Sequence, residues 1–275
     1  MTSDSSFTAS DGVRLAFYID DFTNPWKKAP VLVMLHAAMG SSRRFFSMVP
    51  GLARHFRVIR LDTRGHGDSA IPPASLPLDK ARLTLDVVEA LDHLGLDRVH
   101  VLGNSAGGYA AQQLAIHYSA RVQSLVLYGS APGFKGAQGK RWLADAAVRG
   151  MRPVFSETIN DRFPIGEVDQ GLVDWFMDEI CKNDLSWITR YMGYWTDTEF
   201  MDEVSAIACP TLIVAPGAEP IGSVSAYPEM HRRIGNSQVI TYANARHNIC
   251  DYLPDACVAD ALAFYRRHFP SEIPA

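Results

Sequence analysis

Ser105 sits in Gly103-Asn104-Ser105-Ala106-Gly107, directly after the apolar run Val99-His100-Val101-Leu102. A serine at a sharp strand-to-helix turn has its hydroxyl lifted clear of the backbone. Small flanking residues leave room for a reactant to approach. The first N–H groups of the following helix lack intrahelical partners, and their dipoles favour negative charge beside the serine. That helix is legible in Tyr109-Ala110-Ala111-Gln112-Gln113-Leu114-Ala115-Ile116, where small and apolar residues recur at three- and four-residue spacing. A glycine pentapeptide can also be a plain tight turn. The strand before it and the helix after it make Ser105 a candidate nucleophile for acyl transfer.

A serine hydroxyl needs a base to take its proton, and histidine titrates near neutrality. Of nine histidines, His247 follows the last expected strand, in Tyr242-Ala243-Asn244-Ala245-Arg246-His247-Asn248. Its loop precedes the final helix and should emerge at the same sheet edge as Ser105. The base in turn needs a carboxylate to fix its tautomer. Glu219, in Ala215-Pro216-Gly217-Ala218-Glu219-Pro220, follows the strand Thr211 to Val214 and is the expected acid. No acidic residue follows the strand ending at Tyr128, and Asp62 is read as structural. A tetrahedral oxyanion needs N–H donors. Ala106 should supply one, and Ala38 the other, from the loop His36-Ala37-Ala38-Met39-Gly40-Ser41, with Ala37 as the alternative. His36 is expected to hold that loop by hydrogen bonds.

These residues need a scaffold that brings several loops to one edge. Short apolar strands are expected at Val13 to Tyr18 (paired as a hairpin with a strand around Phe7), Val31 to Leu35, Arg57 to Leu61, Val99 to Leu102, Val122 to Tyr128, Thr211 to Val214 and Gln238 to Tyr242. Helical patterns lie between them, including Leu78 to Leu94 and Asp255 to His268. The alternation implies an α/β fold with a mostly parallel sheet flanked by helices. Residues 1–131 and 209–275 are expected to form that core. Residues 132–208 lack a strong strand and carry Trp142, Phe155, Trp175, Phe176, Trp187, Tyr191, Tyr194, Trp195 and Phe200. They read as a helical cap over the C-terminal edge, with a minority of the aromatics lining a pocket. Within the cap, Arg141, Arg149 and Arg152 could meet a substrate carboxylate, although surface solvation is the simpler reading.

At 275 residues the chain can bury roughly 75% of its unfolded surface. A net charge of −4 and the lack of any basic block give no reason to expect nucleic acid or an anionic membrane as partner. The apolar runs are too short to span a bilayer. The polar start Met1-Thr2-Ser3-Asp4 lacks a signal-peptide layout, and the four cysteines lack C-x-x-C spacing. A cytoplasmic protein is expected, with a small-molecule substrate and no metal or organic cofactor. A homodimer is left open.

The chain resembles the α/β-hydrolase superfamily from about Val13 to His268. The resemblance rests on His36-Ala37-Ala38, on Asp62-Thr63-Arg64-Gly65-His66-Gly67-Asp68-Ser69, on the turn at Ser105 and on the strand-loop-histidine at His247. The second segment is similar to the D-x-R-G-H-G-x-S turn of that superfamily and is assigned structure, not chemistry. Chain order Ser, acid, His agrees with it as well. Two features depart from the usual pattern: alanine stands at position 37 where glycine is usual, and the acid is glutamate where aspartate is commoner. Arg60 through Leu127 looks most like enol-lactonases and small esterases. The resemblance implies a serine hydrolase of a small carboxylic ester or lactone. Hydrolysis of an amide, or of a carbon–carbon bond in a ring-cleavage product, would use the same residues. A non-catalytic ligand receptor is the reading from another class.

Overall fold

The computed structural model describes residues 5–135 and 137–273. Among them, eight strands form one sheet in the order β1-β2-β4-β3-β5-β6-β7-β8. They are β1 (Ser5–Thr8), β2 (Arg14–Asp20), β3 (Val31–Leu35), β4 (Arg57–Leu61), β5 (Val99–Asn104), β6 (Val122–Tyr128), β7 (Thr211–Pro216) and β8 (Ser237–Tyr242). β1 and β2 form the expected antiparallel hairpin at one edge, and β2 also runs antiparallel to β4. The other pairings are parallel, with Val33 opposite Ile59 on one side and Val101 on the other.

The helices are α1 (Val49–Leu52), α2 (Lys80–His93), α3 (Ala106–His117), α4 (Ala137–Arg149), α5 (Met151–Glu157), α6 (Gln170–Cys181), α7 (Leu185–Thr196), α8 (Ala226–Arg233), α9 (Ile249–Tyr252) and α10 (Pro254–His268). Side-chain alternation along the strands feeds two cores. Val33, Leu35, Ile59, Leu61 and Val101 face α2 and α3, whereas Leu32, Met34, Val58 and Leu102 face α1 and α10. A central strand buried on both faces therefore reads as an unbroken apolar run.

α4 to α7 all lie between β6 and β7. Asp169 caps α6 and Asp184 caps α7, each side chain accepting a backbone N–H of the first turn. This segment has a core of its own, which includes Val154, Phe155, Phe163, Val173, Phe176 and Ile180. α7 instead joins the main core through Trp187, Ile188, Tyr191 and Trp195. Among the described residues no helix is long and apolar enough to cross a membrane.

Candidate active site

The turn at Ser105 is built by close approach. Ser105 has φ 51° and ψ −121°, a backbone conformation that costs an ordinary residue on the order of 1–3 kcal/mol. A Cβ on Gly107 would stand 2.1 Å from the Leu35 carbonyl oxygen, and one on Gly103 would stand 2.4 Å from Gly108 Cα. Glycine at these two places lets α3 begin directly against β3 and β5. Hydrogen bonds pin the strained residue. Its N–H donates to Tyr128 O at 2.9 Å, and its carbonyl accepts from Gly108 N–H at 2.9 Å and Ser130 Oγ at 2.8 Å.

His247 arrives from the loop after β8, with Nε2 3.0 Å from Ser105 Oγ. Its Nδ1 meets Glu219 Oε1. A carboxylate only accepts, so the ring proton sits on Nδ1 and Nε2 is the acceptor facing the hydroxyl. Glu219 is buried and anchored at both oxygens. Oε1 accepts the Gly222 N–H at 3.0 Å, and Oε2 accepts the Tyr227 hydroxyl. Burial, then the Glu219 charge, push the Tyr227 phenol well above its usual pKa, so it remains a donor. The two loops are sewn together: Ala218 N–H donates to Ala245 O at 3.0 Å and Arg246 Nη1 to Ala218 O at 3.1 Å. Ser105, His247 and Glu219, far apart in the chain, are thus joined by one continuous chain of hydrogen bonds.

Ala38 and Ala106 line the same cavity as Ser105 and His247. The loop bearing Ala38 is held from several sides. Thr63 N–H donates to His36 Nε2 at 3.1 Å, which leaves His36 Nδ1–H to donate to Ala37 O at 2.8 Å. His36 thus acts as the loop brace expected of it. Burial is the main reason its pKa falls to about 4, so the ring is neutral. Met39 has φ 58°, and its carbonyl accepts from Asn183 Nδ2 at 2.7 Å, a contact from the end of α6. Asp62 accepts Ser42 N–H at 2.7 Å and Asp68 N–H at 2.9 Å and stands inside its own turn, away from the relay.

The cavity beside Ser105 is small, about 50 Å³, and mostly apolar. Trp142, Phe155 and Phe176 line it. Trp187, Tyr191, Trp195 and Phe200 belong to the main core instead, and Trp175 packs on Phe46. Only a minority of these aromatics meets the pocket, as expected. The arginines that line it are Arg44 and Arg162, neither of which the sequence singled out. Arg44 is held bidentately by Asp251, through Nε at 3.0 Å and Nη2 at 2.5 Å. Arg162 lies in an irregular turn with no helical or strand period to mark it. Of the arginines the sequence did raise, Arg149 pairs with Asp145 and Glu157, Arg152 pairs with Asp178, and Arg141 is exposed.

Known proteins share this architecture. A family model described as alpha/beta hydrolase fold matches residues 30–149. The non-heme haloperoxidase of Rhodococcus erythropolis is 27% identical, over 94% of this chain and 97% of that protein. The 3-oxoadipate enol-lactonase 1 of Acinetobacter baylyi is 26% identical, over 77% of this chain and 80% of its own length. The crystal structure of a hydrolase from Pseudomonas aeruginosa PA01 superposes with a TM-score of 0.86 at 28% identity, covering 95% of this chain and 98% of that one.

Proposed function

The chain belongs to the α/β-hydrolase superfamily, and from that premise we propose that it hydrolyses a small carboxylic ester or lactone through Ser105, His247 and Glu219. One observation carries the reading: Glu219, His247 and Ser105 are joined by hydrogen bonds in the order that an acid-oriented histidine base and a serine nucleophile require. Ser105 Oγ attacks the carbonyl carbon as His247 Nε2 takes its proton. The Ala106 and Ala38 N–H groups stabilise the oxyanion of the tetrahedral adduct. The adduct collapses and the C–O bond to the leaving group breaks, and that oxygen receives the proton from His247. In a lactone the leaving oxygen stays tethered to the acyl chain. His247 then deprotonates a water, which attacks the acyl-enzyme, and release of the acid restores the Ser105 hydroxyl. Glu219 keeps its charge throughout and stabilises the imidazolium. Residues 132–208 serve as the cap, and the size of the cavity beneath it favours a small substrate.

A fluorophosphonate probe tests this directly. Folded protein should take the label on Ser105 and lose esterase activity in step with labelling. The variant Ser105→Ala should resist labelling and lose several orders of magnitude in kcat. An unlabelled Ser105 in active protein would overturn the assignment.

A further inference from the structure

Arg162 is 4% exposed and carries a positive charge into an apolar wall of the cavity. Its guanidinium lies 4.7 Å from the Phe155 ring centroid and 5.3 Å from that of Trp142. Nη1 donates to Thr158 O and Thr158 Oγ1, both at 3.1 Å. Among the described residues nothing accepts from Nε or Nη2, and no carboxylate reaches ion-pair distance. The adjoining Asp161 gives some attraction, and Arg44 opposes it. The other charged groups around the site already have partners: Arg44 is paired with Asp251, and the Glu219 carboxylate accepts from His247, Gly222 and Tyr227. Arg162 is the cation left over.

A buried charge without a partner is costly, and arginine keeps its charge when buried. Burial lowers the Arg162 pKa to about 10, which leaves it charged at neutral pH. Its position is fixed by the catalytic loop. The Asp161 carbonyl accepts the His247 N–H at 3.3 Å, and the Arg162 carbonyl accepts the Asn248 N–H at 3.1 Å. Asn248 also lines the cavity, and its amide nitrogen finds no acceptor among the described residues. The same short segment thus positions both the base and the unpaired cation. The free fork of a guanidinium matches the two oxygens of a carboxylate.

We infer that Arg162 anchors a carboxylate of the substrate, so that the ester or lactone opened at Ser105 is itself an acid. This rests on the hydrolase reading above and narrows its substrate class. Aromatic rings beside the guanidinium keep water from competing for the pair, and Ser105 lines the same small cavity.

The test uses mono-p-nitrophenyl esters of dicarboxylic acids from succinate to pimelate, each beside the uncharged acyl ester of equal length. Spontaneous hydrolysis is subtracted. At its best length the acidic ester should exceed its neutral twin about 10²-fold in kcat/KM, mostly through KM. In Arg162→Met that ratio should fall towards one, whatever happens to absolute rates. Arg162→Lys should keep part of it. If Arg162→Met does not fold, calorimetric binding of the matching dicarboxylate to Ser105→Ala, abolished in Ser105→Ala/Arg162→Gln, carries the same test. A wild-type ratio near one at every length, or a ratio that survives Arg162→Met, overturns the inference. Failure of the underlying reading looks different: neither ester series is turned over and Ser105 takes no label, while dicarboxylate binding still reports on Arg162.

Discussion

At the scale of single residues, the proposed triad depends on what holds Glu219. Glutamate carries one more methylene than aspartate, and the extra length is used: one oxygen meets His247 and Gly222 N–H, the other the Tyr227 hydroxyl. Glu219→Gln preserves the shape but removes the charge. Its amide nitrogen would place a donor against either the His247 Nδ1–H, favouring the wrong tautomer, or the Tyr227 hydroxyl. We expect kcat to fall about 10⁴-fold, the size of loss when a triad carboxylate becomes an amide. The thermal midpoint should move by only a few degrees. Near-normal turnover in steady-state assays of folded Glu219→Gln would remove Glu219 from the mechanism.

At the scale of elements, the site is assembled from strand ends and from one helix end that reaches across. Two residues beyond α6 stands Asn183, whose amide donates to Met39 O at 2.7 Å and to Ile180 O at 3.0 Å. That clasp holds the carbonyl next to Ala38, the proposed oxyanion donor. Asn183→Ala should therefore cost about tenfold in kcat with KM nearly unchanged, since misplacing a donor harms the transition state more than substrate binding. Equal losses in kcat and stability across mild heating would reduce Asn183 to a helix-end residue. The strand ends themselves were legible in the sequence because each carries its own local signal. Val31–Leu35, Arg57–Leu61 and Val122–Tyr128 have the expected bounds, and β5 and β7 extend two residues further, to Asn104 and Pro216. Loops after parallel strands leave by one edge, which is why Ser105, Glu219 and His247 could be read together. Arg162 could not be read this way. Its place follows from two backbone carbonyls that accept from the His247 loop, a long-range contact with no counterpart in periodicity or spacing. The role of Trp187 was equally hidden. It nests against Gly65, where a Cβ would stand 2.2 Å from its Nε1, so it braces the turn Asp62 to Ser69 instead of facing the cavity.

At the scale of the whole molecule, that turn joins the sheet to the helical segment above it. Arg64 is fully buried, with Nε and Nη2 each 2.6 Å from Asp86 of α2 and Nη1 2.9 Å from Asp11 in the β1–β2 turn. His66 sits edge-on to Tyr191 and Trp187 of α7, and edge-on to His36 under the Ala38 loop. Burial is the first cause that brings His36 down to about 4 and His66 to about 3, with the neighbouring His36 charge a further cause for His66. In the unfolded chain both would titrate near 6.5. Between that value and about 4 the unfolded state binds more protons, so stability must rise with pH there and fall as the solution is acidified. For two fully buried rings the loss is on the order of several kcal/mol. Burial raises the Asp62 and Asp86 carboxyls, which then hold protons more readily when folded and oppose the histidines at the acid end. The histidine effect should therefore be clearest from pH 6.5 to about 5. Urea unfolding across that interval should show a falling midpoint on acidification, with a shallower slope in His66→Gln. Because His66 touches α7 while His36 braces the Ala38 loop, acid should separate the sheet from its covering helices. Exposed tryptophan fluorescence from Trp187 should accompany the loss of esterase activity, and a midpoint that stays flat from pH 6.5 to 5 would refute this coupling.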